Sequence, residues 1–169
     1  MSSSILRAGF TYDLAVRSKA DGRLLAVERC TPNRVPMEGL NDIANSYLKG
    51  GAGPSALYIG LWSGAHIPDG NETAANLASL VSEVTNYTQP GRLVLTLGDV
   101  TGGACNNAAS LARFDMQGTA TVNGAFISTT QAKGAATGRL LSVVRFFNPR
   151  AVDATVYLEV LSGFQFVSL

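Results

Sequence analysis

Residues 8–17 alternate one by one: Ala8, Phe10, Tyr12, Leu14 and Val16 fall on one side, Gly9, Thr11, Asp13 and Arg17 on the other. Period two is the spacing of a strand with one face buried. Asp21-Gly22 follows between two apolar runs and suits the positive φ of a two-residue hairpin turn, so a return strand is expected over 23–29. The period then changes. Leu40, Ile43, Ala44, Tyr47 and Leu48 recur three and four apart, which paints one stripe on a helix over about 36–49. Pro36 suits the first turn, Lys49 complements the negative end of the dipole, and Gly50 supplies a left-handed stop. The pattern predicts a helix covering an open edge or end of the fold. Leu40, Ile43, Tyr47 and Leu48 would be buried, and Glu38, Asn41, Asp42 and Asn45 would face solvent.

Strand signals dominate elsewhere. "ALYIGLW" (56–62), "RLVLTL" (92–97) and segments 109–116, 119–129, 139–147 and 152–161 read as strands, with Val152, Ala154, Val156, Leu158 and Val160 on one face of the last. "RLLSVVRFF" is apolar on both faces, as an interior strand would be. Residues 164–169 are expected to add an edge strand. Residues 63–91, rich in Asn, Thr, Ser, Pro and Gly, read as a long surface excursion with a helical turn near 73–81, and 98–108 as a Gly/Asn loop. Strands at this spacing predict a mainly β fold, a jelly-roll-like antiparallel β-sandwich with one amphipathic helix. Residues 1–7 are expected to form a flexible arm and 8–169 a single domain.

Composition narrows the function classes. Charged residues are 15% of the chain, well under the usual quarter, while apolar ones are 46%. A surface so poor in charge suits a protein packed against other protein. Thirteen basic and twelve acidic residues are interspersed, giving +1 overall. Without a basic stripe, direct nucleic-acid binding is not expected. No apolar run reaches the ~18 residues of a membrane span, and the start lacks a secretory pattern. Cys30 and Cys105 fit no metal or redox spacing and read as unpaired thiols of a protein made in a reducing cytoplasm.

Catalytic chemistry finds little support. His66 is the one histidine, in a Pro/Gly loop without a nucleophile motif. One His and two dispersed Cys do not suit a zinc site. Nearly all carboxylates fall at turns, strand ends or the solvent face of the helix, and Asp13 and Glu159 lie on the non-core face of strand patterns, so a glycosidase pair is unmotivated. "LKGGAGPS", "DVTGGACNN" and "QAKGAATGRLL" lack the phosphate-loop pattern. No enzyme activity, cofactor or metal is expected. Trp62, Tyr58, Tyr87 and Phe126 could stack on a sugar or fill the core, and large apolar side chains are mostly buried.

One resemblance bears on function. The succession "P-x-E-G-L-N-D-I-A…L-K-G-G", "LYIGLWSG" and "GAFIS…KGAATGRLLSVVRFFNPR" resembles the capsid cement (decoration) proteins of tailed bacteriophages, of the kind on the Bordetella phage head, over about residues 32–150. The resemblance implies a jelly-roll sandwich on the outer surface of the virion that clamps neighbouring copies of the major capsid protein. It also implies a homo-oligomer, dimer or trimer, with no catalytic residues. Contacts with the shell are expected from Ser2, Ser3, Ser4, Ile5 and Leu6 of the arm, from His66 and Asn71, and from Asn106 and Asn107. The alternative is a tail-associated receptor- or glycan-binding module.

Overall fold

Strand β1 (Leu6–Ser18) realises the first alternating segment, with Phe10, Tyr12, Leu14 and Val16 turned into the core. The computed structural model describes residues 6–168. Gly22, at φ 71°, closes the expected hairpin to β2 (Leu24–Pro32). On its other side β1 pairs along its whole length with β10 (Val156–Ser168), from Leu6 opposite Ser168 to Ser18 opposite Val156. Residues 164–168 therefore prolong β10 rather than form a separate strand. The far edge of β10 takes two short strands end to end, β6 (Ala104–Asn106) and β7 (Ala112–Asp115).

The second antiparallel sheet is built on β3 (Tyr58–Ser63), β8 (Ala120–Ser128) and β9 (Leu140–Val152), in the order β3-β8-β9. Short strands β4 (Ser82–Val84) and β5 (Leu93–Val94) pair with the other edge of β3. Two helices complete the described residues, α1 (Met37–Leu48) and α2 (Leu77–Leu80). The result is an antiparallel β-sandwich with little helix. Of "RLVLTL", only Leu93 and Val94 pair as strand.

The main core lies between the sheets, where Tyr12, Leu14, Ile59, Leu61, Phe114, Ile127, Val144, Phe146 and Leu158 interlock. A second core lies on the outer face of the β3-β8-β9 sheet. There Ala74, Leu77 and Val81 roof Trp62, Phe126 and Leu140. Residues 63–91 are thus more than a surface excursion, because their middle covers two large rings. Glycines make room for those rings: a Cβ on Gly124 would lie 2.4 Å from the Trp62 ring and 2.0 Å from the Val144 carbonyl oxygen, and one on Gly60 2.3 Å from the Phe126 ring. Trp62 Nε1–H is shared between the carbonyls of Ala125 and Val144 at 3.2 and 3.1 Å.

"RLLSVVRFF" departs from expectation in position. It lies in β9, which is the outermost strand of its sheet rather than an interior one. Residues 140–144 and Phe146 are buried because one side meets the main core, Leu140 enters the second, and residues from β2 to α1 cover the free edge, whereas Phe147 at the end of the run is 74% exposed.

Candidate functional site

The free edge of β9 sets the character of this flank. An unpaired strand edge presents a row of N–H and C=O groups that must find partners. Arg34 supplies one pair, its N–H donating to Val143 O at 2.9 Å and its carbonyl accepting from Val143 N at 3.1 Å. Two carboxylates accept from further N–H groups of β9. Glu38 Oε2 accepts from Leu140 N at 2.7 Å and from Ala74 N at 2.8 Å. Glu28, buried, accepts from the backbone N–H of Phe147 and from that of Asn148 at 3.1 Å, with Arg150 Nη2 at 3.5 Å.

This requirement decides how α1 lies. The apolar stripe was expected to face inward; the structure turns it outward. Tyr47 is 86% exposed, Leu48 76%, Met37 59% and Leu40 41%. Only Ile43 of the expected core set is half-buried. Facing inward are Glu38, Gly39 and Asp42. Gly39 is pressed onto β9, so that a Cβ there would stand 2.9 Å from the Cα and carbonyl oxygen of Leu141. Asp42, enclosed, pairs with Arg139 at 2.8 Å. The helix start is tied down by Met37 N–H donating to Gly70 O at 2.9 Å. Periodicity could not reveal this, because acceptors for a bare strand edge outweighed burial of the leucines. Gly39 was the available signal, since a glycine inside a helical pattern marks close backbone approach.

The loop after β3 leans on the same region. Glu72, buried, accepts from His66 Nε2 at 2.8 Å and from the amides of Asp69 and Gly70 at 2.8 and 2.9 Å. Burial pushes its carboxyl up, but His66 and these amides together outweigh it and hold the pKa below the ordinary value. Arg145 Nη1 donates to the carbonyls of Gly64 and His66, both at 3.0 Å. His66 therefore acts as a strut of its loop.

The expected contact residues scatter. Ser2, Ser3, Ser4 and Ile5 lie outside the described residues, and Leu6 opens β1. Asn71 is exposed beside the start of α1, and its N–H donates to Asp69 Oδ1 at 2.9 Å. Asn106 is exposed on β6, at the edge of the first sheet opposite β2. Asn107 is fully enclosed: its amide donates to the carbonyl of Val160 at 3.1 Å and accepts from Ser162 N at 2.7 Å, pinning the 98–108 loop to β10. Cys105 is a free thiol. Among the aromatic candidates, Trp62, Phe126 and Tyr87 are enclosed in the cores, and only Tyr58 is half-buried.

The remaining polar clusters are engaged within the fold. Arg92, buried, donates through Nε and Nη2 to both oxygens of Glu83 at 2.9 and 2.8 Å. It also reaches Ser128 Oγ and the carbonyls of Thr130 and Ala135, so no donor is left for an anion. The cleft above it, about 240 Å³, holds Glu83 as its one carboxylate. An open groove of about 420 Å³ between residues 119–121 and 151–153 holds only Asp153. Neither brings together the two carboxylates of a glycosidase. Among the described residues no group of three His, Cys, Asp or Glu side chains could hold a metal ion, and no helix is long and apolar enough to cross a membrane.

The distinctive surface is thus the outer side of α1, uncharged, where Met37, Leu40, Ala44, Tyr47 and Leu48 are exposed beside Asn41 and Asn45, the two polar residues that do face solvent as expected. Compared with protein-family models and with curated proteins, the chain matches none.

Proposed function

We propose that this protein is a non-enzymatic structural protein of a bacteriophage virion that binds the outer surface of the head and cements neighbouring major capsid protein subunits as a homo-oligomer. The outward apolar face of α1 carries this proposal. A row of large apolar side chains held in water by a fixed helix marks a surface made to be covered by protein. The low charge of the chain and the resemblance of residues 32–150 to cement proteins supply the kind of partner. Internal engagement of Glu28, Glu38, Glu72, Glu83 and His66 argues against their use on a substrate. Cementing needs only that binding favour the assembled shell, which then gains stability by mass action, with many copies reinforcing each weak contact.

The glycan-binding alternative needs an exposed aromatic platform, and the enclosure of Trp62, Tyr87 and Phe126 withholds those rings from one. The test is co-sedimentation of the purified protein with expanded and unexpanded heads of its phage. Saturable binding to expanded heads, with a raised temperature of shell disruption, is expected. Failure to bind expanded heads at micromolar concentration overturns the proposal.

A further inference from the structure

We infer that α1 is a strap on the β9 edge that opens from Leu40 to Leu48 while the sandwich stays folded. The Asp42–Arg139 pair is its catch, and the residues before Leu40 are its anchor. The opening needs no partner, so it stands or falls apart from cementing.

The anchor is built from backbone bonds. Arg34 pairs with Val143, Pro36 is buried, and Met37 N–H is held by Gly70 O. Glu38 ties the amides of Leu140 and Ala74 together. Gly39 then lays its bare backbone on Leu141 and serves as the fulcrum. Beyond it the ties thin out. Asp42 meets Arg139 at 2.8 Å, and Ile43 and Ser46 are half-buried. From Tyr47 to Gly53 every residue is exposed. The helix end bonds only to itself, the N–H groups of Lys49 and Gly51 both returning to Asn45 O at 3.3 and 3.0 Å. The tether that follows is Gly50-Gly51-Ala52-Gly53, with open space around Gly50 and Gly53, and such glycine-rich chain is flexible.

Lifting this segment forfeits little burial. Leu40, Tyr47 and Leu48 already stand in water, so Ile43 is the one large apolar side chain of the segment that loses cover. Segments with few buried apolar contacts and water-facing backbone bonds open ahead of the whole. What holds this one is the catch. The Asp42 carboxylate is enclosed, but the Arg139 side chain is 43% exposed, so water reaches the pair and takes up the guanidinium as it parts. Once lifted, so short a segment does not stay helical, since isolated helices under about 12 residues are marginal in water. Lifting and unwinding are therefore one event. Closed, the strap covers the edge of β9 at Leu141 and keeps it from pairing with other chains.

The test is native-state hydrogen exchange of the full chain in sub-denaturing urea, read by NMR. The amides of Asn41 to Leu48 should exchange as one group, through an opening with only a small urea dependence. Those of Leu140, Ala74 and Val143 should exchange with the slowest amides of β1 and β10, through global unfolding. Asp42→Asn should speed exchange of the group at least about tenfold, the scale of a lost hydrogen bond to a charged group, and keep its small urea dependence. The parent's exchange alone decides the opening, whatever the yield of the variant. Exchange of 41–48 only at the global rate and urea dependence overturns the inference. So do rates that climb residue by residue toward Leu48, which is mere fraying, and exchange of Leu140 together with the group, which denies the anchor. An Asp42→Asn variant with unchanged exchange refutes the catch.

Discussion

Glu38→Ala and Leu40→Ala, two residues apart on one helix, should have opposite consequences to those a helical wheel assigns. Glu38 Oε2 receives the N–H groups of Leu140 and Ala74 at 2.7 and 2.8 Å. A hydrogen bond to a charged group contributes about 1.5–3 kcal/mol; for a half-buried carboxylate the pair together is worth about 2–4 kcal/mol. Glu38→Gln keeps an oxygen acceptor without the charge and should lose roughly half of that. Leu40→Ala in a packed core would cost about 2–5 kcal/mol. With two-fifths of Leu40 exposed and alanine the better helix former, the expected cost is about 0.5–1 kcal/mol. The assay is urea unfolding by circular dichroism, with m unchanged across the set, at a few micromolar so that self-association adds nothing. A Leu40→Ala variant less stable than Glu38→Ala would refute the inverted orientation of α1 and the role given to its carboxylate.

Three further expectations follow from the packing and the loop chemistry. Gly124→Ala forces a methyl into the Trp62 ring and the Val144 carbonyl, so it should cost about 3 kcal/mol or more and change the fluorescence of the single tryptophan. Glu72 has a folded pKa below the ordinary 4.5, so the stability it contributes is present above that pH and lost as pH falls through the folded value. Melting temperatures scanned through the acid range should therefore fall more steeply for the parent than for Glu72→Gln. Asn107→Ala removes the pin between the 98–108 loop and β10 and should cost about 1–3 kcal/mol, with faster amide exchange at Ser162.

Local patterns made most of the sandwich legible. Alternation located β1 and, in Val156, Leu158 and Val160, the core face of β10, although Val152 proves to end β9 and Ala154 to lie in the turn between the two strands; Asp21-Gly22 located the first hairpin, and Pro36 with Gly50 bounded α1 to within a residue or two. What escaped depends on contacts between distant segments. Strands β4 and β6 are three residues each and exist because β3 and β10 offer them an edge, which no short window reports. The apolar run of β9 looked interior because its neighbours cover it, although it ends its sheet. For the candidate surface, the residues of the α1 stripe were legible but their direction was not. The deciding groups were amides of β9, about a hundred residues downstream.

The pairing of β1 with β10 bears on the order in which the molecule forms. The middle strand of the first sheet arrives well over a hundred residues after its neighbour, as the Arg17–Glu159 ion pair across that ladder illustrates. Until then β1 has only β2 beside it, and a lone two-stranded hairpin is marginal in water. The opposite sheet, with β3, β8 and β9 in hand, has its strands earlier but lacks the wall that closes its core. Such non-local closure is slow, and the waiting hairpin exposes Phe10, Leu14 and Val16 meanwhile. Production at lower temperature or with chaperones should raise the soluble fraction for this reason, and nascent chains stalled before Val156 should stay sensitive to protease throughout the first thirty residues.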